Sequence, residues 1–518
     1  MTRFPKLIGF FAGLLSALGF APLGAWPLTI IAFALVLTLV EGAPSLKSAL
    51  ARGYWFGASH FFIGLNWIAG AFAFQDSMPV WFGWIAVVGL SLFLSIYPAL
   101  AWGAAWLIGR GNAPRLTLVF ASSWIISEWL RATLLTGFAW NPIAAVLVDL
   151  PLIRDNARIV GTYGLAVWVI IPAGVIAYGV PRWIAAIRAN MANGTWLTYL
   201  IGAPIAVAAL AFVIAAGVNR LDLYRFPEAS EAPLRRLRIV QPNIGQENKH
   251  KPAFDKINFE KLTALTGKPQ AFPRLIMWPE AAIPDYLEDE IWARERIAAL
   301  MGPKDVLLTG GVTLVEGKGG TIVAARNSLF ALTADANIVA RYDKSHLVPG
   351  GEYLPMRGIM TAIGLSRLVP GDLDFLPGPG ARSVSLPGFG KAGVQICYEI
   401  IFSGHVIDAK NRPDFMFNPS NDAWFGRWGP PQHLAQARLR AIEEAMPIIR
   451  STPTGISAVV NAQGIVMAQL PFREPGFIAT TLPPSAAPTL FSKFGNGLAL
   501  AFAVLLGAVG VALGRMRR

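Results

Sequence analysis

Three stretches of this 518-residue chain share one layout: a β-rich run, a side chain able to do chemistry, then a turn rich in Gly or Pro. The first is Leu275-Ile-Met-Trp-Pro-Glu280, followed by Ala-Ala-Ile-Pro284. The second is Arg341-Tyr-Asp-Lys344, followed by Ser-His-Leu-Val-Pro-Gly-Gly-Glu352. The third is Gly393-Val-Gln-Ile-Cys397-Tyr-Glu399. Side chains at strand ends converge on one edge of an α/β sheet, where ligands usually bind. The layout therefore predicts a carboxylate, an ammonium and a thiol facing one pocket. Each residue also has a structural reading. A lone Cys is often a small buried hydrophobe. Glu280 could lie on the surface, Lys344 could be solvated, and Glu352 and Glu399 could pair with Lys or Arg. His346, His405 and His433 leave a Cys–His hydrolase open. A single Cys excludes an internal disulfide and any Cys-cluster metal site.

These motifs sit in residues 221–490, where short β-rich runs alternate with helical stretches. Strands are expected at Leu237–Val240, Arg274–Trp278, Val306–Gly310, Ser328–Leu332, Val394–Cys397, Phe415–Asn418, Ile448–Ser451 and Ala458–Asn461. Helices are expected at Phe254–Thr266, Glu288–Leu300 and Gln432–Met446. Strands separated by helices argue for a layered α/β domain. Pro483–Pro488 reads as a linker out of it.

The rest of the chain is of another kind. The whole chain is 54% hydrophobic and only 14% charged, against about 25% charged in an ordinary soluble domain. A lipid hydrocarbon core needs roughly 20 apolar residues per helix. Seven such runs precede residue 220: 6–22, 26–42, 54–74, 80–109, 116–137, 157–181 and 196–218; an eighth is 494–514. The domains are then 1–220, a membrane domain of seven helices; 221–490, the α/β domain; and 491–518, the eighth helix and a tail. The third run carries His60 and Asn66, so it is a candidate to line a cavity. Loops on one side hold eleven Lys and Arg, the others three. The positive-inside bias places both termini in the cytoplasm and residues 221–490 outside it. The net charge of +13 falls largely in these short loops, so it predicts no nucleic-acid partner.

Taken together, the motifs resemble the nitrilase, or carbon-nitrogen hydrolase, superfamily, whose members use a Glu-Lys-Cys triad in an α-β-β-α sandwich. More narrowly, the chain is similar to its membrane branch, the apolipoprotein N-acyltransferases. The resemblance covers nearly the whole chain. It is carried by Trp278-Pro-Glu280, by Asp343-Lys344-Ser-His-Leu-Val-Pro349 with Gly351-Glu352, and by Cys397-Tyr-Glu399. Asn421-Asp-Ala-Trp-Phe-Gly426, Ala437-Arg-Leu-Arg-Ala-Ile-Glu443, Arg450-Ser-Thr452 and Gly455 also match. One departure stands near Gln241–Gln246: the family tends to show a Lys-Trp pair where this chain has Lys249-His250.

The resemblance implies Glu280 as general base, Lys344 as oxyanion stabiliser and Cys397 as nucleophile, with Glu352, Tyr398 and Glu399 in support. It implies a ping-pong cycle in a bacterial inner membrane, with the catalytic domain in the periplasm. Cys397 would take an acyl chain from a phospholipid as a thioester and pass it to the N-terminal amine of a diacylglyceryl apolipoprotein. No cofactor and no metal is implied. Trp424, Phe425 and His250 are candidates to bind the lipid substrates. A role in charge alone predicts that Lys344→Ala removes activity and spares the fold. Three other readings remain. A membrane-tethered amidase would need one helix rather than eight. A transporter would use ionisable residues such as Glu128 and Arg131 within the helices. A Cys–His hydrolase would depend on one of the three histidines.

Overall fold

A computed structural model describes residues 4–75, 78–190, 234–249, 251–362, 366–368 and 373–515. The apolar run 196–218 and His250 lie outside the described residues. The chain divides into two compact units. One holds Met1–Asn66, Ile85–Tyr224 and Thr489–Arg518; the other holds Trp67–Trp84 and Arg225–Pro488.

The first unit is helical. Its opening helices are α1 (Pro5–Ala17), α2 (Trp26–Glu41) and α3 (Leu46–Gly64). Ser45 caps α3 by accepting from the Ser48 N–H, which satisfies a donor that the first turn leaves free. A Cβ on Gly13 would lie 2.2 Å from the Phe56 carbonyl, so only glycine lets α1 approach α3 this closely. The apolar run 54–74 is not one continuous helix. It ends at Gly64, where the Asn66 amide turns back to the Ile63 carbonyl at 2.8 Å and Asn141 takes the Gly64 carbonyl at 3.2 Å. A short helix, α4 (Ile68–Ala71), follows and belongs to the second unit.

After α5 (Phe82–Leu94) and α6 (Ile96–Gly109) comes α7 (Ala113–Thr133), capped by Asn112. Glu128 and Arg131 lie on α7 and are buried. Glu128 accepts the Ile143 N–H at 2.7 Å, and Arg131 donates to the Phe138 and Trp140 carbonyls at 2.7 and 2.8 Å. They tie an irregular segment to the helix, a structural use that takes away the observation behind a transport pathway. By length and composition, three described helices can cross a membrane: Phe82–Gly109, Val167–Ala189 and Asn496–Arg515. A fourth is possible if the pair Leu46–Gly64 and Ile68–Phe74, bent by 51°, counts as one. The unit fits a membrane domain.

The second unit is built on two six-stranded sheets, β12-β1-β2-β3-β4-β5 and β11-β10-β9-β8-β7-β6. The strands of the first sheet are β1 (Arg236–Gln241), β2 (Arg274–Met277), β3 (Val306–Glu316), β4 (Ile322–Thr333), β5 (Ile338–Asp343) and β12 (Gly476–Thr481). Those of the second are β6 (Ser383–Leu386), β7 (Gly390–Val394), β8 (Phe415–Pro419), β9 (Ile448–Ser451), β10 (Ala458–Val460) and β11 (Val466–Gln469). In each sheet three central strands are parallel, β1-β2-β3 and β7-β8-β9, and the flanking pairs are antiparallel. The Ser451 hydroxyl donates to the Val240 carbonyl at 2.9 Å and joins the two sheets. Helices Pro252–Thr266 and Ile291–Ala298 pack on the first sheet over Trp278, Ile276, Leu307 and Phe330. The Trp278 indole N–H finds the Thr266 hydroxyl at 2.9 Å, so its burial leaves no donor unmet. This is the nitrilase-like layered α/β architecture expected from the sequence.

One strand boundary differs in a way that bears on chemistry. The strand read as Val394–Cys397 stops at Val394, and Cys397 opens a 3-10 turn over Cys397–Ile401. Cys397 sits at φ +51°, a left-handed conformation no regular strand contains.

Candidate active site

Glu280, Lys344 and Cys397 each follow the end of a strand: β2, β5 and β7. After β2, the Trp278 N–H still bonds to the Leu308 carbonyl at 2.8 Å, and the Gly310 N–H holds the Pro279 carbonyl at 3.2 Å. A Cβ on Gly310 would lie 2.7 Å from the Glu280 Cα, so the bare glycine lets β3 support the Glu280 turn. The Lys344 N–H donates to the Asn327 carbonyl of β4 at 2.8 Å, and its carbonyl accepts from the Gly378 N–H at 2.7 Å.

All three side chains are buried: Glu280 is 6% exposed, Lys344 1% and Cys397 4%. Lys344 Nζ lies 3.4 Å from Glu280 Oε1 and 3.0 Å from both oxygens of Glu352. Burial alone would favour the neutral amine, but Glu352 and Glu280 outweigh it and hold the ammonium charged well above the usual lysine range. Asn327 bridges the two carboxylates, donating to Glu280 Oε1 at 2.7 Å and to Glu352 Oε1 at 2.9 Å. Glu352 Oε2 also accepts from the Val348 N–H at 2.8 Å. Among the described residues, Glu280 Oε2 has no hydrogen-bond partner. That oxygen is the one left to take a proton.

Burial, and then the charge of Glu280, push the Cys397 thiol well above its ordinary value; Lys344 pulls the other way. The resting sulfur is therefore a thiol. The Asn421 main-chain N–H bonds to it.

Glu399 ties two of these turns together. Its Oε1 accepts from the N–H groups of Ser345 and His346 at 2.7 and 3.0 Å, and from the Ser345 hydroxyl at 2.7 Å. Its Oε2 accepts from the Ile396 N–H at 2.7 Å, and the Tyr342 hydroxyl reaches the same carboxylate at 2.9 Å. Burial raises its pKa against these donors. Glu399 thus fixes the residues after Lys344 to the residue before Cys397. Tyr398 is buried, with its ring 5.2 Å from Phe402. Trp424 stays half-buried, 5.7 Å edge-on to Phe74, whereas Phe425 is 8% exposed and packs 4.6 Å from Trp67. Its burial makes Phe425 an anchor of its loop.

His346 stacks on Phe402 at 3.8 Å. His433 reaches the Cys397 carbonyl oxygen at 3.1 Å through Nε2, and its Nδ1 faces Asp422 and Arg450, each at 3.0 Å. The ring nitrogens of His433 are engaged there, so this geometry does not build a Cys–His pair. Among the described residues, no group of three or more His, Cys, Asp or Glu is arranged to hold a metal ion.

Two further residues belong to the site: Asn327, which no sequence motif marks, and Lys249, which the sequence marks only as half of the Lys249-His250 pair. Asn327 is an ordinary position within β4. Lys249 is buried, and its Nζ donates to the Glu280 carbonyl at 2.7 Å. With its amide oxygen turned inward, Asn421 also accepts from Lys249 at 3.2 Å and from the Trp424 indole at 3.0 Å. Burial pushes Lys249 down to about 8, against Glu280 and Cys397.

Comparison with known proteins bears on the whole chain. A family model described as the apolipoprotein N-acyltransferase N-terminal domain matches residues 12–175, and one described as carbon-nitrogen hydrolase matches residues 236–489. The apolipoprotein N-acyltransferase of Rhodopseudomonas palustris is 35% identical over 97% of this chain and 93% of its own. That of Bradyrhizobium diazoefficiens is 35% identical over 96% and 94%. Among solved structures, Nit3 of Saccharomyces cerevisiae, a nitrilase-superfamily member, is 18% identical over 50% of this chain and 93% of that one, with a TM-score of 0.34, too distant to add to this. With matches at this identity along nearly its full length, the chain belongs to the apolipoprotein N-acyltransferase family.

Proposed function

We propose that this protein moves an acyl chain from a membrane phospholipid, through a thioester on Cys397, to the N-terminal amine of a diacylglyceryl apolipoprotein. The observation that carries the reading is the family membership of the whole chain, combined with one buried cluster of a carboxylate, a paired ammonium and a thiol. An amidase reading lacks that support, because the relatives match through the helical part as well.

The chemistry follows from the side chains. Glu280 Oε2 takes the thiol proton as the sulfur attacks the ester carbonyl. Negative charge then develops on the carbonyl oxygen. In this reading the Lys344 ammonium and the N–H of Tyr398 stabilise it. As the tetrahedral adduct collapses, Glu280 returns the proton to the departing glycerol oxygen, releasing lysophospholipid. In the second half, Glu280 takes a proton from the attacking amine, and the sulfur leaves and is reprotonated. A thioester suits this step, since amines cleave it faster than an oxygen ester. Glu352 and Asn327 keep Lys344 charged and in place; Glu399 and Tyr398 brace the turn beside the nucleophile.

The proposed setting is a bacterial inner membrane crossed eight times, both termini cytoplasmic and the α/β domain periplasmic. The domain boundaries proposed are 1–220, 221–490 and 491–518. The Lys and Arg distribution supports the orientation. Trp424, Phe425 and His250 are proposed to bind the lipid substrates. The direct test offers the purified protein labelled phospholipid and a diacylglyceryl-cysteine peptide, and in parallel a set of small amides. An N-acylated peptide with no ammonia release is expected. Ammonia release without peptide acylation would replace this reading with the amidase.

A further inference from the structure

Behind the nucleophile lies a second polar set that the acyl-transfer steps above do not use. His433, Asp422 and Arg450 are all fully buried. Arg450 forms an ion pair with Asp422 through Nη2 and donates to the Asn418 amide oxygen through Nη1. The same Nη2 stands 3.0 Å from His433 Nδ1. His433 Nε2 stands 3.1 Å from the Cys397 carbonyl oxygen, which Asn418 Nδ2 also approaches at 3.4 Å.

One of these contacts places a proton. A carbonyl oxygen can only accept, so the Nε2 facing it carries a proton and donates it to the Cys397 carbonyl, while Nδ1 lies between Asp422 and Arg450. Burial and the charge of Arg450 lower the histidine's pKa, which agrees with a neutral ring. The Arg450 guanidinium in turn holds Asp422 ionised, against its burial. Replacing a buried ion pair by apolar packing often costs no stability, so stability alone is a poor account of this one.

The geometry of the peptide unit gives it a role. In a trans peptide, C=O and N–H point in opposite directions. The bond between Cys397 and Tyr398 is not among the cis peptides of the chain. Whatever grips the Cys397 carbonyl therefore sets the direction of the Tyr398 N–H. The grip is needed because Cys397, at φ +51°, is a non-glycine residue in a conformation that side chains disfavour.

We propose that His433, backed by Asp422 and Arg450, is a positioning residue: it holds the Cys397 carbonyl and so aims the Tyr398 N–H at the oxygen where negative charge develops. The inference rests on Cys397 being the nucleophile.

The test measures acylation of Cys397 by phospholipid alone, in purified full-length protein, by intact mass over time. His433→Leu is expected to acylate about 100-fold more slowly, the scale of losing an oxyanion donor, at an unchanged half-saturating phospholipid concentration. His433→Asn, polar but too short to reach the carbonyl, should be equally slow. His433→Gln, which keeps an N–H near the place of Nε2, should stay within about tenfold of the parent. His433→Leu or His433→Asn acylating at the parent rate would overturn the inference. So would His433→Gln as slow as His433→Asn with an unchanged melting temperature. Cys397→Ala, run alongside, separates the two levels. An adduct persisting there would remove the nucleophile assignment itself. Its absence there, with fast acylation in His433→Leu, would remove only the positioning role.

Discussion

Lys344 and Glu352 form a buried two-pronged ion pair, with Nζ 3.0 Å from either carboxylate oxygen. The pair explains how an ammonium that is 1% exposed keeps its charge beside a thiol. It also changes what a substitution there should do. The sequence predicts that Lys344→Ala removes activity and spares the fold. In the structure the change leaves Glu280 and Glu352 buried without their cation. Breaking such a pair costs about 3–5 kcal/mol. Lys344→Ala should therefore lose activity and also melt several degrees lower in detergent. Adding Glu352→Gln should recover part of the melting temperature and none of the activity. Lys344→Arg should restore little turnover, since the planar guanidinium is too broad for this site. A Lys344→Arg enzyme at the parent rate would contradict the role given to the ammonium.

The thiol gives a prediction in pH. Burial and then Glu280 raise the Cys397 pKa, so the thiolate appears only at pH values above those of an ordinary cysteine. Alkylation by iodoacetamide should rise late with pH. Removing the negative charge in Glu280→Gln lowers the thiol pKa, so the alkylation midpoint should fall by about one pH unit or more. Acylation by phospholipid should meanwhile be lost. A midpoint that stayed or rose in Glu280→Gln would show that Glu280 does not act on the sulfur.

How much of this was legible follows from where each feature is encoded. Glu280, Lys344 and Cys397 each stand in a local pattern of β-run, reactive residue and turn, and the structure sets all three at strand ends. The edge strands were harder. β5, β6, β11 and β12 are partly exposed, without the run of apolar residues that marks the central strands, and β12 joins β1 across more than two hundred residues; nothing local marks such a pairing. Cys397 reads as a strand residue because the residues before it are apolar, yet the strand ends at Val394 and Cys397 has a positive φ that nothing local in the sequence announces. Asn327 and Lys249 reach the site from elements whose own sequence serves the fold. Trp67–Phe74 reads as the end of the apolar run 54–74, yet its aromatics Trp67 and Phe74 pack on Phe425 and Trp424. Long-range packing of this kind leaves no periodicity to read.

Glu399 should prove as important to the fold as to the reaction. Glu399→Ala strands the buried N–H of Ile396, at a cost of about 1–3 kcal/mol, and the half-buried N–H groups of Ser345 and His346, at less. The variant should melt well below the parent, and residual activity should be low even at temperatures where it remains folded. Glu399→Gln should be milder in stability. A Glu399→Ala variant with the parent melting temperature and turnover would show that the carboxylate does not brace the site.

Orientation is open to a direct check. A reporter fused after Arg518 should read as cytoplasmic. One inserted in the exposed turn after Glu316, where a loop between β3 and β4 can accept it, should read as external. A cytoplasmic signal from the second would reverse the orientation and with it the assignment of substrates.

The central claim is that Cys397 holds the acyl group before the acceptor arrives. Intact-mass analysis of the purified protein, incubated with phospholipid alone, tests it most directly. The account predicts an added mass of one acyl chain on Cys397 and release of one lysophospholipid. The adduct should be labile to neutral hydroxylamine and discharged by a diacylated peptide. It should be absent in Cys397→Ala and in Glu280→Gln. An adduct forming in Glu280→Gln at the parent rate, or a parent enzyme that turns over with both substrates and never carries the added mass, would contradict it.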